Sequence, residues 1–303
     1  MRKHNKRVLY TLLLLCVLVI IAYSLYSNSQ AEGFAQIVRS NGLIIRLIGG
    51  LGNQLFIYAA ALLFKKRFDV PIFLIKDTST NKHSEKDYRF LMNGVSPIEE
   101  TNEIVGHSER FQFSSSDPYE KYDINEIPIG DTSYIQIGSH YFQNYEMIKD
   151  VIGEVTDSLI PKCKEMYKAL KVDSDSSAFI HVRRGDYLTD IGGERVISPD
   201  FYKHGLDRLN SVNHIKTIYI ISDDIQWCKQ QSWNTSKTIY FFDDPDELKT
   251  LYLMSQCWAG AVISNSTFSL WGALLGAYEK TDMIVYPSNK HFLKDLPQKW
   301  VKI

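Results

Sequence analysis

The chain has 303 residues, enough for one large domain or two medium ones, and 45% hydrophobic with 23% charged residues is the balance of an ordinary globular protein. A formal net charge of -1 excludes a broad electrostatic grip on nucleic acid, which needs a basic face. Any anion site must therefore be local.

Arg2, Lys3, Lys6 and Arg7 precede an uncharged apolar run over 8–26, close to the ~20 residues that cross a bilayer. The basic flank sets a type II signal-anchor layout: a cytoplasmic tail over 1–7, a single transmembrane helix over 8–26 and a polar stem over 27–41. The alternative is a cleaved signal peptide ending near Ser29-Gln30-Ala31; the run is longer than a typical signal-peptide core, which favours the anchor.

A strand is predicted over 43–48, a glycine-rich turn over 49–54, a helix over 55–68 and a second strand over 70–75, which together make a βαβ opening. Residues 76–133 are polar with weak periodicity, and pattern alone places no elements within them. A strand follows over 134–137, and 145–170 reads as mostly helical. In the second half, strands over 178–182, 217–222, 238–242, 261–264 and 283–286 alternate with helices over 199–210, 224–231, 245–257 and 268–279. Such alternation implies an α/β fold with a parallel, doubly wound sheet. Two Rossmann-like domains with a cleft between them are expected, 42–172 and 173–303, divided in the polar stretch 171–177. Ligands of such sheets bind at the carboxyl ends of strands, so the loops after 182, 222, 242 and 264 are where chemistry is expected.

HVRRGDY, residues 181–187, stands at one of those ends. Arg183 and Arg184 offer guanidinium forks that match phosphate oxygens, and Gly185 would let backbone come close to a ligand. The plainer readings are a salt-bridge cluster in which Asp186 pairs an arginine, or an exposed Arg184-Gly185-Asp186 adhesion tripeptide. At the next strand end, Ser222 or Asp223 would cap the following helix, while a second carboxylate, Asp224, leaves one to accept from a guanine edge. At 263–272, Ser264, Ser266, Thr267 and Ser269 crowd a helix start, as a cap or as an anion site. Gly49, Gly50 and Gly52 fail the dinucleotide pattern GxGxxG, and no P-loop follows a glycine run. Asp173-Ser174-Asp175 and Asp244-Pro245-Asp246 are triples that could hold a divalent metal, the second also reading as a helix start with Pro245 at its first position.

Cys16 lies in the apolar run. Cys163, Cys228 and Cys257 allow at most one bridge, and no CxxC pair suggests zinc. Asn234-Thr235-Ser236 and Asn265-Ser266-Thr267 are glycosylation sequons. Asn234 sits in a polar loop and is open to modification in a luminal domain, whereas Asn265 follows a strand that reads as buried.

These motifs, in this order, carry a resemblance. GGLGNQLFxYA, HVRRGDY, SDDxxWC and SNSTFSLWGALL, spanning roughly 43–287, resemble the alpha-1,2-fucosyltransferases, and the type II layout is similar to that of the animal, Golgi-resident members. The resemblance implies a GT-B-type fold and a donor, GDP-fucose, held mainly by the second half. It implies inverting transfer of L-fucose to the 2-hydroxyl of a terminal beta-galactoside on a glycan, with no metal. Arg183 and Arg184 match the arginine pair that neutralises the diphosphate of the leaving GDP. His181 and Asp223 or Asp224 fall on guanine or ribose contacts, and Ser266, Thr267 and Ser269 on the phosphate side. Gly49, Gly50, Gly52, Asn53 and Gln54 would line the cleft from the acceptor side. A carboxylate base is needed for the acceptor proton, with Asp186 first and Asp190 and Glu194 behind it. The sequence departs from the family at His140, where glycine is expected, and at Leu270, where many members carry a second tryptophan. Transfer to another hydroxyl or from a related GDP-sugar is the alternative; a membrane-anchored adhesion or lectin-like protein is a further one.

Overall fold

The computed structural model describes residues 41–77, 86–130, 133–189, 195–281, 283–288 and 295–303. The expected tail, membrane span and stem lie outside these residues, Asn41 apart. No helix among the described residues is long and apolar enough to cross a membrane.

The first half carries β1 (Gly42–Leu47), α1 (Leu51–Phe68), β2 (Ile72–Lys76), β3 (Ser96–Ile98), α2 (Glu103–Gly106), β4 (Glu109–Phe111) and β5 (Tyr134–Ile137). Its five strands are all parallel, in the order β3-β2-β1-β5-β4. The helices α3 (Tyr145–Ile148) and α4 (Ile152–Met166) lead to the second half. There β6 (Ser177–Val182), α5 (Pro199–Asn210), β7 (Thr217–Ser222), α6 (Ile225–Lys229), β8 (Thr238–Phe242), α7 (Glu247–Ser255), β9 (Gly260–Val262), α8 (Thr267–Leu274), β10 (Ile284–Tyr286) and β11 (Val301–Lys302) follow. Their sheet is parallel, in the order β11-β10-β9-β6-β7-β8. That is the strand order of a doubly wound dinucleotide-binding sheet, and it reverses direction between β6 and β9. The matching reversal in the first sheet lies between β1 and β5.

Local chemistry accounts for most of these elements. The six residues of β6 are all buried, as in a central parallel strand covered on both faces. α5 opens on Ser198, whose hydroxyl accepts from the Asp200 N–H, with Pro199 in the first turn. From Leu55 to Phe64 α1 is apolar and buried on nearly every side, before the exposed Lys65, Lys66 and Arg67 of its last turn. One side packs on the first sheet and the other meets the second half, where the Phe56 ring stands edge-on to Trp271 at 5.4 Å. One hydrophobic cluster runs from Leu55 and Phe56 through Leu251 and Met254 to Trp271 and Leu274, so the core does not stop at the boundary between the halves.

Several expectations are corrected. The glycine stretch is not all turn, because α1 already begins at Leu51. Residues 96–111 hold two strands and a helix of only three or four residues each, too short and too exposed to leave a period. α7 starts at Glu247, and Pro245 lies before it: the Asp246 carboxylate accepts from the Leu248 and Lys249 N–H groups and is the cap. α8 ends at Leu274, short of 279, and a separate 3-10 turn covers Ala277–Glu279.

Candidate active site

The loops at the two reversal points meet in one cleft of about 770 Å³. Gly49, Gly50, Gly52 and Asn53 follow β1, and Tyr141 and Gln143 follow β5. His181, Arg183, Asp186 and Tyr187 follow β6, and Asn265, Ser266, Thr267 and Phe268 follow β9. Asp223 and Glu247 come in from the ends of β7 and β8.

The starts of α1 and α8 touch. Neither N-cap, Gly50 or Ser266, uses its side chain as a cap, and neither first turn contains an acid. Two positive helix ends therefore converge on the cleft wall. Gly52 permits the approach: a Cβ there would stand 2.5 Å from the Phe268 nitrogen and 2.6 Å from the Thr267 carbonyl carbon. Asn53 Oδ1 fastens the junction, accepting from Thr267 Oγ1 and from Gln143 Nε2, each at 2.8 Å. Gln54 is buried beneath, donating to the Gly49 carbonyl at 3.0 Å, and does not line the cleft.

The structure separates the two arginines. Arg183 faces the cleft, donates to Asp186 Oδ1 at 2.6 Å, pairs with Asp223 Oδ2 at 3.0 Å and stacks over the Tyr187 ring at 5.3 Å. Arg184 points the other way: its Nε donates to Asp224 Oδ2 at 3.1 Å, and its guanidinium lies 4.1 Å from the Trp227 ring centre. The two arginines follow the last residue of β6, Val182, and leave it in opposite directions. The salt-bridge reading, with Asp186 pairing an arginine, holds for Arg183; Arg184 pairs with Asp224 instead, and neither of those two lines the cleft. Asp224, and not Ser222 or Asp223, caps α6 by accepting from the Trp227 N–H at 3.2 Å. Asp223 instead holds Arg183 and accepts the Arg184 N–H at 2.9 Å. Gly185 gives room to that carboxylate, because a Cβ would run into it, so its smallness serves Asp223 and not a ligand. Of Arg184-Gly185-Asp186, only Asp186 lines the cleft, and the arginine is locked down on the other side.

His181 is buried, with Nδ1 3.0 Å from Ser264 Oγ. Burial, reinforced by Arg183, pushes its imidazole down to about 3, so it stands in the wall as a neutral ring. Ser269 is wholly buried and donates to the Ser264 and Ser266 carbonyls, supporting the loop from behind, while Ser266 and Thr267 reach the cleft. The departures from the family pattern pack inward: Leu270 is in the core, and His140 Nδ1 accepts the Phe142 N–H at 2.9 Å, where Phe142 takes a φ of 53°. That turn presents Tyr141 and Gln143 on either side of it.

Sequence reasoning left Tyr187, Tyr119, Arg195, Phe268 and Glu247 unassigned, though all line the cleft. Tyr187 ends the HVRRGDY motif and was in view; Tyr119 and Arg195 come from stretches with no local pattern. Asp190 and Glu194 lie outside the described residues. Among the described residues no group of three or more His, Cys, Asp or Glu could hold a metal ion. Of the acidic triples, Asp173 accepts from Ser176, Asp244 pairs with Lys249, and Asp246 caps α7. Asn234 is exposed, whereas Asn265 is 3% exposed and donates to the Arg195 carbonyl at 2.9 Å. Cys163, Cys228 and Cys257 are buried free thiols.

The model of Glycosyl transferase family 11 matches residues 18–303. The chain belongs to that family. It is a glycosyltransferase, similar to the O-antigen biosynthesis glycosyltransferase WbnK of Escherichia coli at 26% identity, over 81% of this chain and 93% of the relative. The alpha-1,2-colitosyltransferase of Escherichia coli is 25% identical, over 86% of this chain and 98% of its own. Galactoside 2-alpha-L-fucosyltransferase Sec1 of Mus musculus is 24% identical, over 78% and 65%. Among solved structures, POFUT1 in complex with GDP covers 82% of this chain and 98% of its own at 12% identity and a TM-score of 0.49. Relatives of the chain occur in a bacterium as well as in mouse, so the likeness does not carry the expectation of a Golgi enzyme.

Proposed function

We propose that this family 11 enzyme moves L-fucose from GDP-fucose to the 2-hydroxyl of a terminal beta-galactoside, inverting the anomeric carbon. The observation that carries this is Arg183, clamped by two carboxylates at the reversal point between β6 and β9, beside the uncapped start of α8. That is where doubly wound sheets hold phosphates. The names of the relatives support a 1,2 linkage and a deoxy-sugar donor.

In this reading the acceptor oxygen attacks the sugar C1 opposite the phosphate. The C1–O bond to GDP breaks, and the leaving diphosphate takes the electron pair. Arg183 and the start of α8 line the cleft at the reversal point and would receive that charge, a kind of arrangement in which one donor contributes about 10²–10³ in kcat. The acceptor proton goes to Asp186, which lines the cleft, is half exposed and gives up its ion pair with Arg183 as it is protonated, leaving Asp223 to hold the guanidinium. Neutral His181 and Asp223 meet the nucleoside side, and the proposal routes no step through a metal. The GT-B-type division at 42–172 and 173–303 and an anchored, luminal layout belong to the same proposal.

Transfer of a related GDP-sugar is the second reading, supported by the colitosyltransferase relative. Both are tested on the purified full chain by following GDP release from GDP-fucose and GDP-colitose, with and without a beta-galactoside. Release from GDP-fucose that depends on the acceptor supports the first reading. Release from GDP-colitose alone overturns it in favour of the second, and no release from either overturns both.

A further inference from the structure

We propose that Arg195, and not Arg184, supplies the second guanidinium for the donor diphosphate. This rests on the GDP-sugar reading above. Arg184 is on the far side of the strand end, tied to Asp224 and over the Trp227 ring, with 17% of its side chain exposed. Reaching the cleft would break both contacts. Arg195 already lines the cleft, with its guanidinium 5.6 Å from the Tyr187 ring centre; Arg183 is 5.3 Å from the same ring.

One aromatic ring thus organises two cations at one wall. Burial holds the Tyr187 phenol above its ordinary value, so it stays neutral between them. Ring faces attract guanidinium groups, and Tyr187 thereby gathers both cations at the cleft wall that also carries the start of α8. A diphosphate has the charge and the spacing of oxygens to take a fork from each.

The backbone beneath is fixed. The buried Asn265 amide donates to the Arg195 carbonyl at 2.9 Å, and the Asn265 carbonyl accepts from the Tyr187 hydroxyl at 3.3 Å. Asn265 directly precedes Ser266 and Thr267 at the start of α8. Arg195, Tyr187 and the hydroxyl-rich loop are therefore one bonded unit. Arg195 itself is exposed, so its side chain can settle on a ligand while its main chain stays put.

The experiment is calorimetric binding of guanosine and of GDP to the full chain and to R195A, R195Q, R184A, Y187L and Y187F, each checked for folding by its melt. The readout is the ratio of GDP to guanosine affinity, which a merely structural defect does not change. Both Arg195 variants are expected to lower that ratio about 10- to 150-fold, the range of a lost charge-assisted hydrogen bond, with guanosine nearly unaffected. R184A is expected to keep the wild-type ratio. Y187L is expected to lower it and Y187F to restore it, because phenylalanine keeps the ring. Wild-type ratios in R195A and R195Q, or an equal loss in R184A, overturn the assignment while leaving the donor reading intact. Wild-type protein that binds GDP no better than guanosine overturns both.

Discussion

Replacing Gly52 with alanine sets two effects against each other. In the first turn of α1, alanine is the better helix former by up to about 1 kcal/mol. Against that, the new methyl carbon would stand 2.5 Å from the Phe268 nitrogen and 2.6 Å from the Thr267 carbonyl carbon. Both are main-chain atoms at the start of α8, so no side-chain rotation relieves them. Ordinary contact needs roughly 3.5 Å, and the two helix starts must part by about 1 Å. Overpacking of this kind costs about 1–3 kcal/mol, which outweighs the gain in propensity. At about 2–4 °C per kcal/mol for a chain of this size, the melting temperature is expected to fall by several degrees. The same shift stretches the 2.8 Å bond from Thr267 to Asn53 and opens the cleft. A misplacement of ~1 Å costs on the order of 100-fold in rate, so kcat is expected to fall further than stability does. Thermal unfolding and acceptor-dependent GDP release measure the two effects. A raised melting temperature with unchanged turnover would refute the close approach as the reason for this glycine.

Arg183→Ala is expected to lower kcat by about 10²–10³ with a melting temperature within a few degrees of wild type, and turnover near wild type would remove the mechanism. His181 titrates near 6.5 when unfolded but near 3 when folded, so its contribution to stability is whole above about pH 6.5 and is lost progressively as pH falls towards 3. Urea midpoints from pH 7 to pH 4 are expected to fall more steeply for wild type than for His181→Asn; equal slopes would count against a neutral buried ring. In a secreting host, mass spectrometry is expected to find glycan on exposed Asn234 and none on buried Asn265, and a glycan on Asn265 would contradict its bond to Arg195. Trp271→Ala, which leaves a void against Phe56, is expected to destabilise by about 3–5 kcal/mol on chemical denaturation.

The second sheet was legible because its strands and helices are long enough to show their periods, and the motifs at its strand ends fell at the cleft. The strands of residues 96–111 were not, since three residues carry no period. Within the site, the motif placed Arg183 and Arg184 side by side in sequence, and only three dimensions set them on opposite sides of a strand end. Arg195 and Tyr119 reach the cleft through tertiary packing alone, from segments where nothing local marks them.

The hydrophobic cluster that passes from Phe56 on α1 to Trp271 on α8 bears on how the molecule folds. If each half had a separate interior, either would survive without the other and would melt on its own. Here α1 has one flank on the first sheet and the other on α8, so a chain ending before β6 would expose that second flank to water. The first half is therefore not a self-sufficient folding unit. Loss of order in one is expected to propagate to the other as a single cooperative transition, with no stage at which a finished nucleotide-side half waits for its neighbour.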